Sequence, residues 1–252
     1  MKIQYCSDLH LEFPDNQNYL KANPILPLGD ILILAGDITL LRVKDNYKWF
    51  FKKLSKQFKA VYWIPGNHEY YYSDQATIAT PLFEKIFENV FLLNNKTIVI
   101  ENVELIFSTL WSHIPVQQEW VTQKNVSDFE VIKKEGKTIM PNDFNAMHAV
   151  DLAFIKTEIA KPTGNKKIVV THHVPTLMHY PKQYLNSQIN GAFATELFDV
   201  IESSNVDYWI YGHHHCNTPD FKIGKTTMLT NQLGYVHHQE NILFKNDKFI
   251  EI

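Results

Sequence analysis

The sequence predicts an α/β fold of two packed mixed sheets with helices outside, and three observations carry that prediction. Short apolar runs alternate with amphipathic stretches along most of the 252 residues, the order expected of parallel βαβ units. One run, Ile31-Leu32-Ile33-Leu34-Ala35, is apolar without a break, as a strand covered on both faces must be. Two later runs, Thr97 to Ile100 and Val103 to Phe107, flank Glu101-Asn102 and read as a hairpin that adds antiparallel strands. The length suits one domain spanning 1–252.

In chain order, Lys2 to Cys6 is the first predicted strand and 31–35 the second. Residues 44–59 place Tyr47, Phe50, Phe51, Leu54 and Phe58 along one helical face. Val61 to Ile64 reads as a third buried strand. Ser73 or Asp74 is positioned to cap a helix reaching about Glu88. After the 97–107 hairpin, the polar stretch from Trp111 to Met140 predicts irregular backbone, a lid-like insert at about 111–142. A helix starting near Asn142 or Asp143 turns Phe144, Met147, Phe154 and Ile155 to the core. Ile168 to Val170 and Asp207 to Tyr211 are strands, with a helix marked by Phe193, Leu197, Val200 and Ile201 between them. Asn246-Asp247 predicts a last hairpin turn.

Composition narrows the class. With 45% apolar and 20% charged residues, the chain is an ordinary globular protein. A net charge of -3 and a single arginine, Arg42, give no general nucleic-acid footprint. Two cysteines, Cys6 and Cys216, are too few for a disulfide framework. The N-terminus runs directly into a strand, and no apolar run approaches the roughly 18 residues of a membrane span. A cytoplasmic protein without membrane partners is the expectation.

Polar clusters stand at the ends of five strands: Asp8-x-His10, Gly36-Asp37, Gly66-Asn67-His68-Glu69, His172-His173 and Gly212-His213-His214-His215. Each alone is turn composition; Gly-Asn-His after Ile64-Pro65 is a common way to end a strand. In an α/β sheet, however, the C-terminal strand ends share one crevice. In extended backbone, Asp8 and His10, like His213 and His215, would face the same way. Imidazole, carboxylate and amide donors without thiolate suit Mn, Fe, Co, Ni or Zn in a hydrolytic site. Two Asp, one Asn and four His exceed what one ion needs, and fit two ions about 3.5–4 Å apart sharing a carboxylate.

Together these motifs resemble the signature of the calcineurin-like metallophosphoesterases, in the same order from residue 8 to residue 215. The resemblance implies a four-layer α/β/β/α sandwich and a phosphoester hydrolase using two divalent ions. By motif, Asp8, His10, Asp37 and His215 would hold one ion, and Asp37, Asn67, His172 and His213 the other. His68 would act on the substrate as general acid or transition-state stabiliser, with Glu69 orienting an imidazole from behind. His173 and His214 are expected as spectators. His179, His113, Trp111 and Trp120 are candidates to meet the substrate, as is Tyr70 within Tyr70-Tyr71-Tyr72, a run that suits packing or stacking on substrate.

The expected substrate is a small phosphoester. Two divalent ions, balanced by two carboxylates and a hydroxide, leave one positive charge, which matches a phosphodiester monoanion. A monoester dianion would call for a guanidinium clamp. A phosphomonoesterase or nucleotide phosphatase is the alternative. A nuclease is disfavoured by the charge, and a silent interaction scaffold by the intact motifs.

Overall fold

Twelve strands form two six-stranded sheets, and all the inner pairings are parallel. A computed structural model describes residues 1–75 and 81–252. The first half of the chain runs β1 (Lys2–Cys6), α1 (Pro14–Ala22), β2 (Ile31–Ala35), α2 (Lys48–Gln57), β3 (Ala60–Ile64), β4 (Leu82–Phe87), β5 (Val90–Asn94), β6 (Lys96–Ile100) and β7 (Val103–Phe107). The second half runs α3 (Val116–Asn125), α4 (Asp128–Val131), β8 (Lys133–Lys134), β9 (Lys137–Thr138), α5 (Pro141–Ile159), β10 (Lys166–Val170), α6 (Phe198–Glu202), β11 (Tyr208–Tyr211), β12 (Phe221–Ile223), β13 (Thr226–Thr230) and β14 (Phe249–Glu251). The sheet orders are β14-β1-β2-β3-β5-β4 and β12-β13-β11-β10-β7-β6, with antiparallel strands only at the edges.

Alternate residues of the two sheets meet face to face: Ile3, Tyr5, Ile31 and Ile33 from the first, Leu105, Phe107, Ile168 and Val170 from the second. Burying one such aliphatic side chain fully is worth about 1.5–3 kcal/mol. The opposite faces pack under α1 and α2 on one side and α5 and α6 on the other. These are the two packed mixed sheets and outer helices read from the sequence.

Several boundaries differ. The helix expected over 44–59 begins as a 3-10 segment, Leu41–Tyr47, and becomes α-helical only at Lys48. The helix expected from Ser73 or Asp74 to Glu88 is corrected: residues 82–87 are an edge strand paired with Val90–Asn94, and residues 76–80 lie outside the described residues. Phe83, Ile86 and Phe87 have strand propensity, and a free sheet edge beside β5 overrides their helical spacing. Asp74 accepts the Glu135 and Gly136 N–H groups at 2.9 and 2.7 Å.

The 111–140 stretch is not irregular. It folds as α3, α4 and the β8–β9 hairpin because Val126, Phe129, Ile132 and Ile139 gather around Trp111, Phe144 and Tyr70. Helix α5 starts at Pro141, with the Asp143 carboxylate accepting the Met140 N–H at 3.0 Å. Helix α6 is shorter than expected, and Asn246-Asp247 turns the chain back to β1, not to a neighbouring strand. Helix α1 and strand β5 had no clear sequence signal.

Candidate active site

The C-terminal ends of the parallel strands carry the polar loops. The β1–β2 pairing continues past its strand ends: Asp8 N–H donates to Gly36 O, His10 N–H to Asp37 O and Leu11 N–H to Ile38 O, each at 2.9 Å. Leu9 and Leu11 go into the core, while Asp8, His10 and Glu12 turn the other way. This alternation is not that of extended backbone. Asp8, His10, Asp37, His213 and His215 all have positive φ, from 45° to 80°. Left-handed backbone at non-glycine residues costs on the order of 1–3 kcal/mol each and collects at functional sites. Gly36 is required beside them: its φ is +90°, and a Cβ there would run into the His172 ring.

Among the described residues three groups of possible ligand atoms result: Asp8, His10, Asp37 and His215; Asp37, His172 and His213; and His10, Glu12 and His68. Within each the atoms lie within 4.8 Å of one another, and the first two hold the predicted ligands. Asn67 Oδ1 joins the second group, 3.2 Å from His172 Nε2. Asp37 faces both: Oδ2 lies 3.8 Å from His10 Nε2, and Oδ1 lies 3.4 Å from His172 Nε2. All seven sequence-predicted ligand candidates are therefore brought together, six of them buried and His215 nearly so.

The far nitrogen of each ring has its own acceptor. His10 Nδ1 meets Glu12 at 3.1 Å and His215 Nδ1 meets Glu240 at 2.7 Å. His172 Nδ1 donates to Ala35 O at 3.0 Å and His213 Nε2 to Ala192 O at 3.3 Å. The inward nitrogens then carry lone pairs, yet they lie only 3.0 Å apart between His10 and His215 and 3.1 Å apart between His172 and His213. Such pairs call for positive charge between them, and divalent ions fit this donor set. Burial lowers the pKa of all four rings; Asp8 and Glu240 outweigh it at His215 and push it up to about 10, as Asp37 and Asp8 push His172 up to about 9, while His10 and His213 stay lowered.

His68 is held otherwise. Its N–H donates to Asp37 Oδ1 at 2.9 Å, its Nδ1 meets Glu12 at 2.9 Å, and its Nε2 lies 3.2 Å from the Tyr235 hydroxyl. Burial lowers its pKa, but Asp37 and Glu12 raise it by more. Glu69 does not orient an imidazole. It accepts the N–H groups of Asp37 and Ile38 at 2.9 and 2.7 Å, that of Gly66 at 2.6 Å and the Trp63 indole at 2.9 Å, clamping the Asp37 loop to the His68 loop. Glu12, Asp128, Tyr235 and Glu240 were not singled out from sequence. Glu12 had a signal, since it continues the Asp8-x-His10 alternation; the others come from segments without motif.

A cavity of about 360 Å³ opens over these groups. Asn125 to Asp128 line one side, Tyr180, Tyr184 and Asn190 another, and Tyr71 and Tyr235 flank His68. Asp128 accepts from Asn67 Nδ2 at 2.9 Å and from the Tyr71 hydroxyl at 2.6 Å. Most of the predicted substrate contacts are corrected. Trp111 and Tyr70 are buried in the apolar cluster under the insert. His113 packs on His148, and Trp120 is 70% exposed beside Lys124. His179 packs on Phe221. None of these five lines the cavity. Of the two expected spectators, His173 lies behind the His213 ring, whereas His214 lines the cavity.

A family model of calcineurin-like phosphoesterases matches residues 1–217. An uncharacterized protein of Acanthamoeba polyphaga mimivirus is 31% identical over 95% of this chain and 93% of its own length. A probable cyclic nucleotide phosphodiesterase of Coxiella burnetii is 23% identical, over 85% of this chain and 76% of its own. Among solved structures, a phosphopantetheinyl hydrolase from Mycobacterium tuberculosis superposes with a TM-score of 0.68 at 18% identity, covering 96% of this chain and 92% of that one. With the matching model spanning all seven ligand candidates, from Asp8 to His215, the chain belongs to the calcineurin-like phosphoesterases, and it is a phosphoester hydrolase.

Proposed function

We propose that this chain hydrolyses small phosphodiesters in preference to monoesters. The observation that carries this reading is the cavity wall: among the described residues it includes Asp37, Asp128 and Glu240 but no lysine or arginine. Arg42, the only arginine in the sequence, sits over the Tyr72 ring at 5.5 Å, not in the cavity. A monoester dianion finds no guanidinium or ammonium partner there. A diester monoanion needs none, and its second organic group can rest on Tyr71, Tyr180, Tyr184 or Phe193. The Coxiella relative's description as a probable phosphodiesterase points the same way.

Asp8, His10, Asp37 and His215 would hold one divalent ion, and Asp37, Asn67, His172 and His213 the other; manganese, iron, zinc, cobalt or nickel suits these donors. Such a pair supplies a nucleophile from water near neutral pH and offsets charge on the phosphoryl oxygens. The protein does the rest. Glu12, Glu240, Ala35 O and Ala192 O fix the four rings, and Asp128 turns the Asn67 amide so that Oδ1 faces inward. His68, backed by Glu12, gives a proton to the departing oxygen. Residues 111–142 form part of one domain and wall the cavity through Asn125 to Asp128. A cytoplasmic location is part of the proposal; among the described residues no helix is long and apolar enough to cross a membrane.

The test is kcat/KM for bis-p-nitrophenyl phosphate against p-nitrophenyl phosphate, with manganese, near neutral pH. A diester preference is expected. A monoester preference of about tenfold or more would overturn the reading in favour of a phosphomonoesterase.

A further inference from the structure

Beyond the matched residues 1–217, the chain returns to the site. After β13 it passes over His10 and His215, and Tyr235 is the residue it delivers. The placement is enforced from several sides. Gly234 has a φ of +68°, and a Cβ there would meet Glu240 and His215. Asn16, buried in α1, donates to Gly234 O at 2.8 Å and accepts the Val236 N–H at 3.2 Å. Glu240 accepts the Tyr235 N–H at 2.6 Å while also meeting His215 Nδ1. The ring lies among His10, His215 and Phe13 at centroid distances of 4.7, 4.5 and 5.3 Å.

So fixed, the hydroxyl lies 3.2 Å from His68 Nε2, the only nitrogen His68 has left after Nδ1 meets Glu12. It also lines the cavity with Asp37, Asn67 and His68. A departing oxygen that took its proton directly from His68 Nε2 would have to displace this hydroxyl. A phenol both accepts and donates, so it can stand between them.

We propose that Tyr235 is a catalytic residue that relays the proton from His68 to the leaving oxygen. As the phosphorus–oxygen bond breaks, the leaving oxygen takes the Tyr235 hydroxyl proton. The Tyr235 oxygen takes the His68 Nε2 proton in the same movement. The imidazolium becomes neutral imidazole, the leaving alkoxide becomes an alcohol, and tyrosine is unchanged. This rests on the phosphoester-hydrolase reading and on His68 as the acid.

The experiment measures kcat for a series of methyl aryl phosphates whose phenols are of graded acidity, in the wild type, Tyr235→Phe, His68→Ala and the double variant. Tyr235→Phe keeps the ring, and metal content by elemental analysis is expected to stay at the wild-type value. The loss in Tyr235→Phe is expected to be small for the most acidic phenol and to grow to about a hundredfold for the least acidic, within the range of a positioned acid. His68→Ala should steepen the same dependence, and the double variant should be no slower than His68→Ala. A Tyr235→Phe loss that is uniform along the series, or absent throughout, overturns the relay, as does a double variant showing the product of the two single losses. If His68→Ala shows no steepening, the relay and the acid role of His68 fall together. If the wild type prefers monoesters, the diester reading fails, and the comparison runs unchanged on aryl phosphate monoesters.

Discussion

The two ligand clusters share Asp37 but are supported differently. Behind the first stand carboxylates: Glu12 on His10 and Glu240 on His215. Behind the second stand neutral groups, the carbonyls of Ala35 and Ala192 on His172 and His213. A carboxylate behind an imidazole raises its basicity and hence its grip on a cation. The first cluster also has a second carboxylate of its own, Asp8, where the second has the Asn67 amide. The comparison teaches that supports can differ across one shared carboxylate, and it predicts unequal ion affinities, with the Asp8 cluster the tighter and the His172 cluster the weaker.

Removing what the clusters share has the largest effect. Asp37→Ala should abolish binding at both, read as loss of both ions from protein reconstituted with excess manganese and then desalted. Retention of one tightly held ion would show that Asp37 does not bridge. The comparison is sharpened by neutralising a single support. Glu240→Gln keeps an acceptor for His215 but removes its charge, and should weaken only the tighter ion, by about 10–100-fold. Equal weakening of both ions would mean that the supports do not set the difference.

The smallest effect concerns Glu12, which backs both His10 and His68. Its carboxylate, with Asp37, raises the His68 pKa against burial. With ions offsetting Asp37, Glu12 would be the main remaining support for the protonated ring. A raised pKa keeps the acid form present below it and loses it as pH rises through it. Glu12→Gln should therefore move the basic limb of the kcat/KM profile to lower pH. An unmoved basic limb would separate Glu12 from the acid function.

What could be read from sequence divides along the same lines. Asp8, His10, Asp37, Asn67, His172, His213 and His215 were legible because each follows an apolar run, and strand ends in such sheets converge. The route was less legible: Asp8 and His10 face one way through left-handed backbone, which no spacing rule anticipates. The supports were mostly hidden. Glu240 and Tyr235 reach the site through a turn fixed by Asn16 from α1, a contact across 218 residues. The cavity wall was misread for a related reason. Trp111, the most conspicuous side chain of the insert, is spent on its apolar core, while Asn125 and Asp128 reach the cavity. Leu82 to Phe87 read as helix because nothing local reveals that β5 offers them an edge.

The most direct test of two unequal sites sharing Asp37 is calorimetric titration of the metal-free protein with manganese, for the wild type, His215→Ala and His213→Ala. The wild type should show two steps; His215→Ala should lose the tighter one and His213→Ala the weaker one. A single step in the wild type, or loss of the same step in both variants, would contradict the account.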